Sequence, residues 1–137
     1  MKKIVLISCV KTKLPHKAKA KDLYISSLFR YNLKFARQIK PDEIFILSAK
    51  YGLLELEQKI EPYEATLNKM SEAAKQNWAE AVLEQLEKKC DLQKDLFIFL
   101  AGNNYRKYLI KKLPNYEVPF EGFSFGQQLS ELKKRTS

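Results

Sequence analysis

The chain has 137 residues, 45% hydrophobic and 30% charged, which suits a single α/β-sized domain over residues 1–137 that folds without disulfides or a structural metal. Lys and Arg number 25 against 16 Asp and Glu, a formal charge of +9 that favours phosphates and other anions without dictating a fold. Two cysteines, one histidine and no CxxC pair argue against a disulfide framework or a metal site, and no cofactor is expected.

The start MKKIVLISCV carries an apolar run too short for an export signal, and no stretch reaches the roughly 18 apolar residues of a membrane span. A cytoplasmic protein without membrane contact is therefore expected. Residues 4–9 form a β-branched, apolar run typical of a strand buried on both faces of a parallel sheet. A polar, lysine-rich connection over residues 11–22 follows, long enough to be functional or mobile. Ser26 or Ser27 can cap a helix running to Ile39, with Phe29, Leu33 and Ala36 on one side and Pro41 closing it.

Residues 43–48, EIFILS, read as a second buried strand, and Gly52 marks the turn that follows. An irregular stretch over residues 55–68 leads to the longest helical pattern, residues 71–90, where Trp78, Val82 and Leu86 recur at four-residue spacing beside Ala74 and Ala81. That stripe reads as core. Residues 95–101 form a third strand ending at Gly102, and a helix is expected from Asn103 to Leu113, before Pro114. A weak fourth strand over 116–118 and an amphipathic helix over 123–134 complete the order. Alternation of strand and helix predicts a three-layer sandwich: a mostly parallel, four-stranded sheet with helices on both faces.

In such a sheet, ligands bind outside the carboxyl ends of the strands. This rule selects Ser8, Cys9, Lys11 and Lys13 after the first strand, Ser48, Lys50, Tyr51 and Gly52 after the second, and Gly102, Asn103 and Tyr105 after the third. Small residues, hydrogen-bonding groups and cations together suit a phosphate or nucleobase pocket, and they are equally ordinary turn chemistry. Cys9 could act as a nucleophile activated by Lys11, with His16 the sole histidine base; as a small buried residue it requires no such role. Lys11, Lys13, Lys17, Lys19 and Lys21 form the densest positive run, and Tyr24 follows, combining cation and aromatic as single-strand binders do. A second basic group, Lys133, Lys134 and Arg135, suits a helix end. In the irregular stretch, Glu61 offers a carboxylate to a substrate amide, sugar or water beside Tyr63, while Gln127 offers an amide near the last helix start.

The segments ISCVKTK at 7–13, AKDLYISSLF at 20–29, ILSAKYGLL at 46–54, IEPYEATL at 60–67, AGNNYRKYL at 101–109 and GFSFGQQLSEL at 122–132 together resemble an uncharacterised bacterial domain-of-unknown-function family. That family is distantly related to the YaaA peroxide-stress proteins. A similar motif pairing occurs in the uracil-DNA-glycosylase-like domain of archaeosine synthase, which handles a modified base in tRNA. The resemblance implies a uracil-DNA-glycosylase-like α/β fold and a nucleobase or nucleotide pocket built from the strand-end motifs. The chain departs from true uracil-DNA glycosylases in lacking a GQDPYH-type motif.

The expected function is a nucleic-acid- or nucleotide-associated protein with a glycosylase-like base pocket, acting on a modified or damaged base if it is an enzyme. Ser8, Ser48 and Asn103 would bond the ligand, Lys11 and Lys50 would meet phosphate, and Tyr51 or Tyr105 would stack. Glu61 would position water or sugar in an N-glycosidic hydrolysis. The alternatives are a non-enzymatic DNA-binding stress module and a small-molecule nucleoside or deazapurine hydrolase or transferase.

Overall fold

A computed structural model describes residues 1–137. Its elements in chain order are β1 (Lys3–Ser8), β2 (Ala18–Lys19), α1 (Ala20–Leu23), α2 (Ser27–Gln38), β3 (Glu43–Ser48), β4 (Gly52–Glu55), β5 (Lys59–Ile60), α3 (Glu72–Glu87), β6 (Leu96–Leu100), α4 (Asn103–Arg106), β7 (Tyr116–Glu117) and α5 (Phe125–Arg135). Short 3-10 turns at Leu67–Lys69 and Ile110–Lys112 complete the inventory.

The main sheet has five strands in the order β4-β3-β1-β6-β7 rather than the four expected. Strands β3, β1, β6 and β7 run parallel, and β4 returns antiparallel along β3, so the sheet is mixed. The fifth strand escaped the sequence reading because Gly52–Glu55 is short and its apolar Leu53 and Leu54 are adjacent, without strand alternation. In β1, Ile4 to Ile7 are all buried, as required of a central strand covered from both sides. The chain leaves β1 towards β3 through α2 and later crosses back to β6 through α3. Right-handed crossovers in opposite directions put these helices on opposite faces, α2 with α5 and α3 with α4.

Local chemistry sets the helix starts. The hydroxyls of Ser26, Ser71 and Ser124 accept from Phe29 N, Ala74 N and Gln127 N, and Gln127 returns its side-chain oxygen to Ser124 N. This capping box starts α5 at Phe125 rather than 123. Along α3 the buried positions are Lys75, Ala79, Val82 and Leu86, with Ala79 rather than Ala81 beside the stripe. The helix expected over 103–113 stops at Arg106, and Lys112 N and Leu113 N then bond three residues back in a tighter turn. The lysine-rich connection is ordered: Ala18 and Lys19 pair with Ile60 and Lys59, Lys13 bridges to Tyr24, and Lys19 and Lys21 both reach Glu57, at 2.9 and 3.2 Å. No helix is long and apolar enough to cross a membrane.

Asp95, expected to open the third strand, instead ties down the chain start. Its carboxylate accepts from Lys2 N and Asp91 N, each at 2.8 Å. Burial opposes ionisation there, but the two backbone donors outweigh it and hold the carboxyl below its ordinary pKa. The stability it contributes is therefore present above the ordinary aspartate pKa, about 3.9, and is lost as pH falls through the lower folded value. In chemical denaturation, the stability gap between wild type and Asp95→Asn should be widest above about pH 5 and narrow below about pH 4. A gap independent of pH would overturn this assignment.

Candidate functional site

Because the chain departs from β1 to one side and returns to β6 on the other, the loops after these strands diverge and leave a crevice at the carboxyl edge. A cavity of about 650 Å³ opens there, lined by Cys9, Val10, Lys11, Lys13, Tyr63, Glu64, Ala65, Thr66, Asn68, Lys69 and Tyr105. Its volume lies within the range of small-molecule sites. Three lysines face one carboxylate, so the lining is cationic.

Its inner wall is a hydrogen-bond network anchored on the end of β3. The Ser48 hydroxyl is fully buried and accepts from Lys50 N at 3.2 Å and Tyr51 N at 3.0 Å, which leaves its proton for Tyr63 Oη at 2.8 Å. Tyr63 Oη also lies 2.6 Å from Tyr24 Oη. Across the cavity, Tyr105 Oη accepts from Leu67 N at 3.3 Å and from Cys9 Sγ at 3.5 Å. Trp78 supports both sides: its Nε1 donates to the Ser48 carbonyl at 2.8 Å, and its ring meets Tyr105 edge-on at 5.7 Å. The four-residue stripe of α3 therefore buttresses the site as well as the core.

Burial pushes the phenols of Tyr24 and Tyr63 up and that of Tyr105 up to about 12. All three remain protonated donors at neutral pH. Lys13 Nζ stands 4.5 Å over the Tyr63 ring and 5.7 Å from that of Tyr24. Burial lowers the Lys13 pKa, while Cys9 and Glu64 act in the opposite direction. Its polar partner is the Lys11 carbonyl, at 3.2 Å.

Of the residues selected from sequence, Cys9, Lys11, Lys13, Tyr63 and Tyr105 meet around this cavity. The others are placed elsewhere. Ser8 ends β1 opposite Leu47 and does not line the cavity. Tyr24 is 1% exposed and packs on Phe29, so its ring has no free face for a base. Ser48 spends its hydroxyl inside the protein and acts through Tyr63. Lys50 is exposed over Tyr51, and Tyr51 reaches the Glu61 carbonyl at 3.4 Å; neither lines the cavity. Gly52, at φ +75°, serves the turn into β4.

Glu61 is exposed outside the cavity, because the ribbon pairing of β5 ends beside it and the chain turns inward only at Tyr63. Glu64 is the carboxylate that lines the cavity. Gly102 and Asn103 border a different crevice, beside Phe120 and Gln128. The next residue, Asn104, turns the other way: it accepts from Lys75 Nζ at 3.2 Å and donates to Asn68 Oδ1 at 2.8 Å. Gln127 is exposed and committed to the α5 capping box. His16 bonds the Lys17 carbonyl in an exposed loop.

The residues missed from sequence are Val10, Glu64, Ala65, Thr66, Asn68 and Lys69, four of the six in the stretch read as irregular. One signal was available there. A long loop in a compact domain is commonly functional.

Fold and site together define an α/β protein with a phenol-walled, lysine-rimmed pocket at the switch point of a mostly parallel sheet. The chain belongs to a family of unknown function, DUF6884, which it matches over residues 4–134. No curated protein and no solved structure matches it.

Proposed function

We propose that this is a nucleotide- or nucleic-acid-associated protein whose carboxyl-edge cavity takes a nucleotide unit. The observation that carries this reading is the convergence of Lys11, Lys13 and Lys69 with the phenols of Tyr63 and Tyr105 on one cavity. Ammonium groups offset phosphate charge, phenols bond polar edges, and Val10 and Ala65 supply apolar wall for a base. The likeness of the text around SAKYGLL to the YaaA proteins, and of its motif pairing to archaeosine synthase, supports a modified or damaged base as the target. For N-glycosidic hydrolysis, Glu64 replaces Glu61 as the carboxylate able to position water, because it lines the cavity.

A DNA-binding module that tracks backbone through the basic loop is the weaker reading. Lys19 and Lys21 are already paired with Glu57, and Lys13 is folded over Tyr63. Calorimetric titration with nucleosides, mononucleotides and single-stranded oligonucleotides tests the proposal. Binding should weaken several-fold in Lys69→Ala and remain unchanged in Lys50→Ala. Failure of every base-bearing ligand to bind would end it. A steep salt dependence with no response to Lys69→Ala would favour the backbone-tracking module.

A further inference from the structure

The donors on the inner wall can be assigned by hydrogen-bond accounting. Ser48 accepts two backbone N–H groups, so its proton goes to Tyr63 Oη. Tyr24 is 1% exposed; its hydroxyl lies 2.6 Å from Tyr63 Oη and beside Ser48, whose oxygen already accepts twice. If Tyr63 donated to Tyr24, the Tyr24 proton would be left buried without an acceptor, so Tyr24 donates. Tyr63 thus receives two hydrogen bonds and keeps its own O–H uncommitted. Tyr105 is in the same position, receiving from Leu67 N and Cys9 Sγ with the Thr66 hydroxyl beside it. Both phenols line the cavity. Beside them Lys13 is half-buried and has no carboxylate within ion-pair distance.

Two uncommitted phenol donors and an unpaired ammonium form a wall that offers donors and little acceptance. Its complement is a group with acceptors and negative charge but no protons to give. We propose that this wall is an end-group phosphate site, holding the terminal phosphomonoester of a nucleotide between Lys13, Tyr63 and Tyr105. The inference rests on the nucleotide reading and orients the ligand within it, phosphate inward and base towards Val10 and Ala65. Lys11, Lys13 and Lys69 against Glu64 leave the lining two positive charges in excess, which matches a monoester dianion. An internal phosphodiester carries one charge and continues in both directions, so it suits a closed wall poorly. The shared ligand chemistry is a terminal phosphate, from either a free mononucleotide or a phosphorylated strand end.

Calorimetric titration of the full chain with uridine, uridine 5′-monophosphate, ribose 5-phosphate, and an oligonucleotide with or without a 5′-phosphate tests this. Each phosphate-bearing partner should bind roughly 10-fold or more tightly than its unphosphorylated counterpart, and Lys13→Gln should remove most of that difference. Tyr105→Phe, which keeps the ring, should also narrow that difference. Lys13→Gln keeps the test valid if the phenol variant unfolds. The relative affinities of monophosphate and phosphorylated oligonucleotide identify the source. Uridine binding as tightly as its monophosphate overturns the phosphate assignment and leaves the nucleotide reading intact. Ribose 5-phosphate binding as tightly as uridine 5′-monophosphate upholds the phosphate site and overturns the need for a base. Absence of binding by all five overturns both.

Discussion

Replacing Ser48 with alanine should destabilise the protein by about 2–3 kcal/mol and weaken nucleotide binding at the same time. The hydroxyl is fully buried and makes three hydrogen bonds, two received from Lys50 N and Tyr51 N and one given to Tyr63 Oη. Its loss leaves the turn after β3 without its acceptor and frees the Tyr63 phenol to swing away from the cavity. A side chain that never touches the ligand would then alter affinity through the orientation of one that does. Urea denaturation gives the stability change, and calorimetry on the still-folded variant gives the binding change. Lys50→Ala, in the same turn but exposed, should shift stability by no more than about 0.5 kcal/mol. If Ser48→Ala is as mild as Lys50→Ala, the network does not hold the wall together.

Gly52→Ala should cost about 2–4 kcal/mol, from two separable sources. At φ +75° the backbone is left-handed, which costs a residue bearing a Cβ roughly 1–2 kcal/mol. The added methyl would also press on the side-chain oxygen of Gln85, which accepts from Leu53 N at 2.8 Å and so pins the start of β4. The double variant Gly52→Ala with Gln85→Ala separates these sources, because removing Gln85 relieves the overlap and leaves the backbone strain. Its destabilisation should be smaller than the sum of the two single variants, measured by the same denaturation series. Strict additivity would show that the methyl meets no resistance from Gln85.

The parts of this protein legible in its sequence are those governed by neighbours along the chain. The runs in β1, β3 and β6 stand out because strands covered on both faces need unbroken apolar text, and β3 falls at the residues expected, Glu43–Ser48. Ser26 and Ser71 announce helix starts because a cap bonds an amide only two or three positions ahead. The switch-point rule selects the edge of the sheet at which the cavity opens, and Lys11, Lys13 and Tyr105 of its strand-end sets line that cavity.

Tertiary structure decided which strand-end residues face the cavity. Adjacent residues on α4 lie about 100° apart, so Asn104 turns towards Asn68 while Asn103 borders another crevice. Glu61 and Glu64 differ by three positions in a segment without periodicity, and only the pairing of β5 with β2 determines which of them lines the pocket. Likewise, nothing near Lys19 in sequence reveals that Glu57 will claim it. The +9 charge was fixed by composition alone; the subset of lysines left unpaired beside a cavity depends on contacts between residues distant in the chain, because charge is a sum over residues and a site is a relation among them.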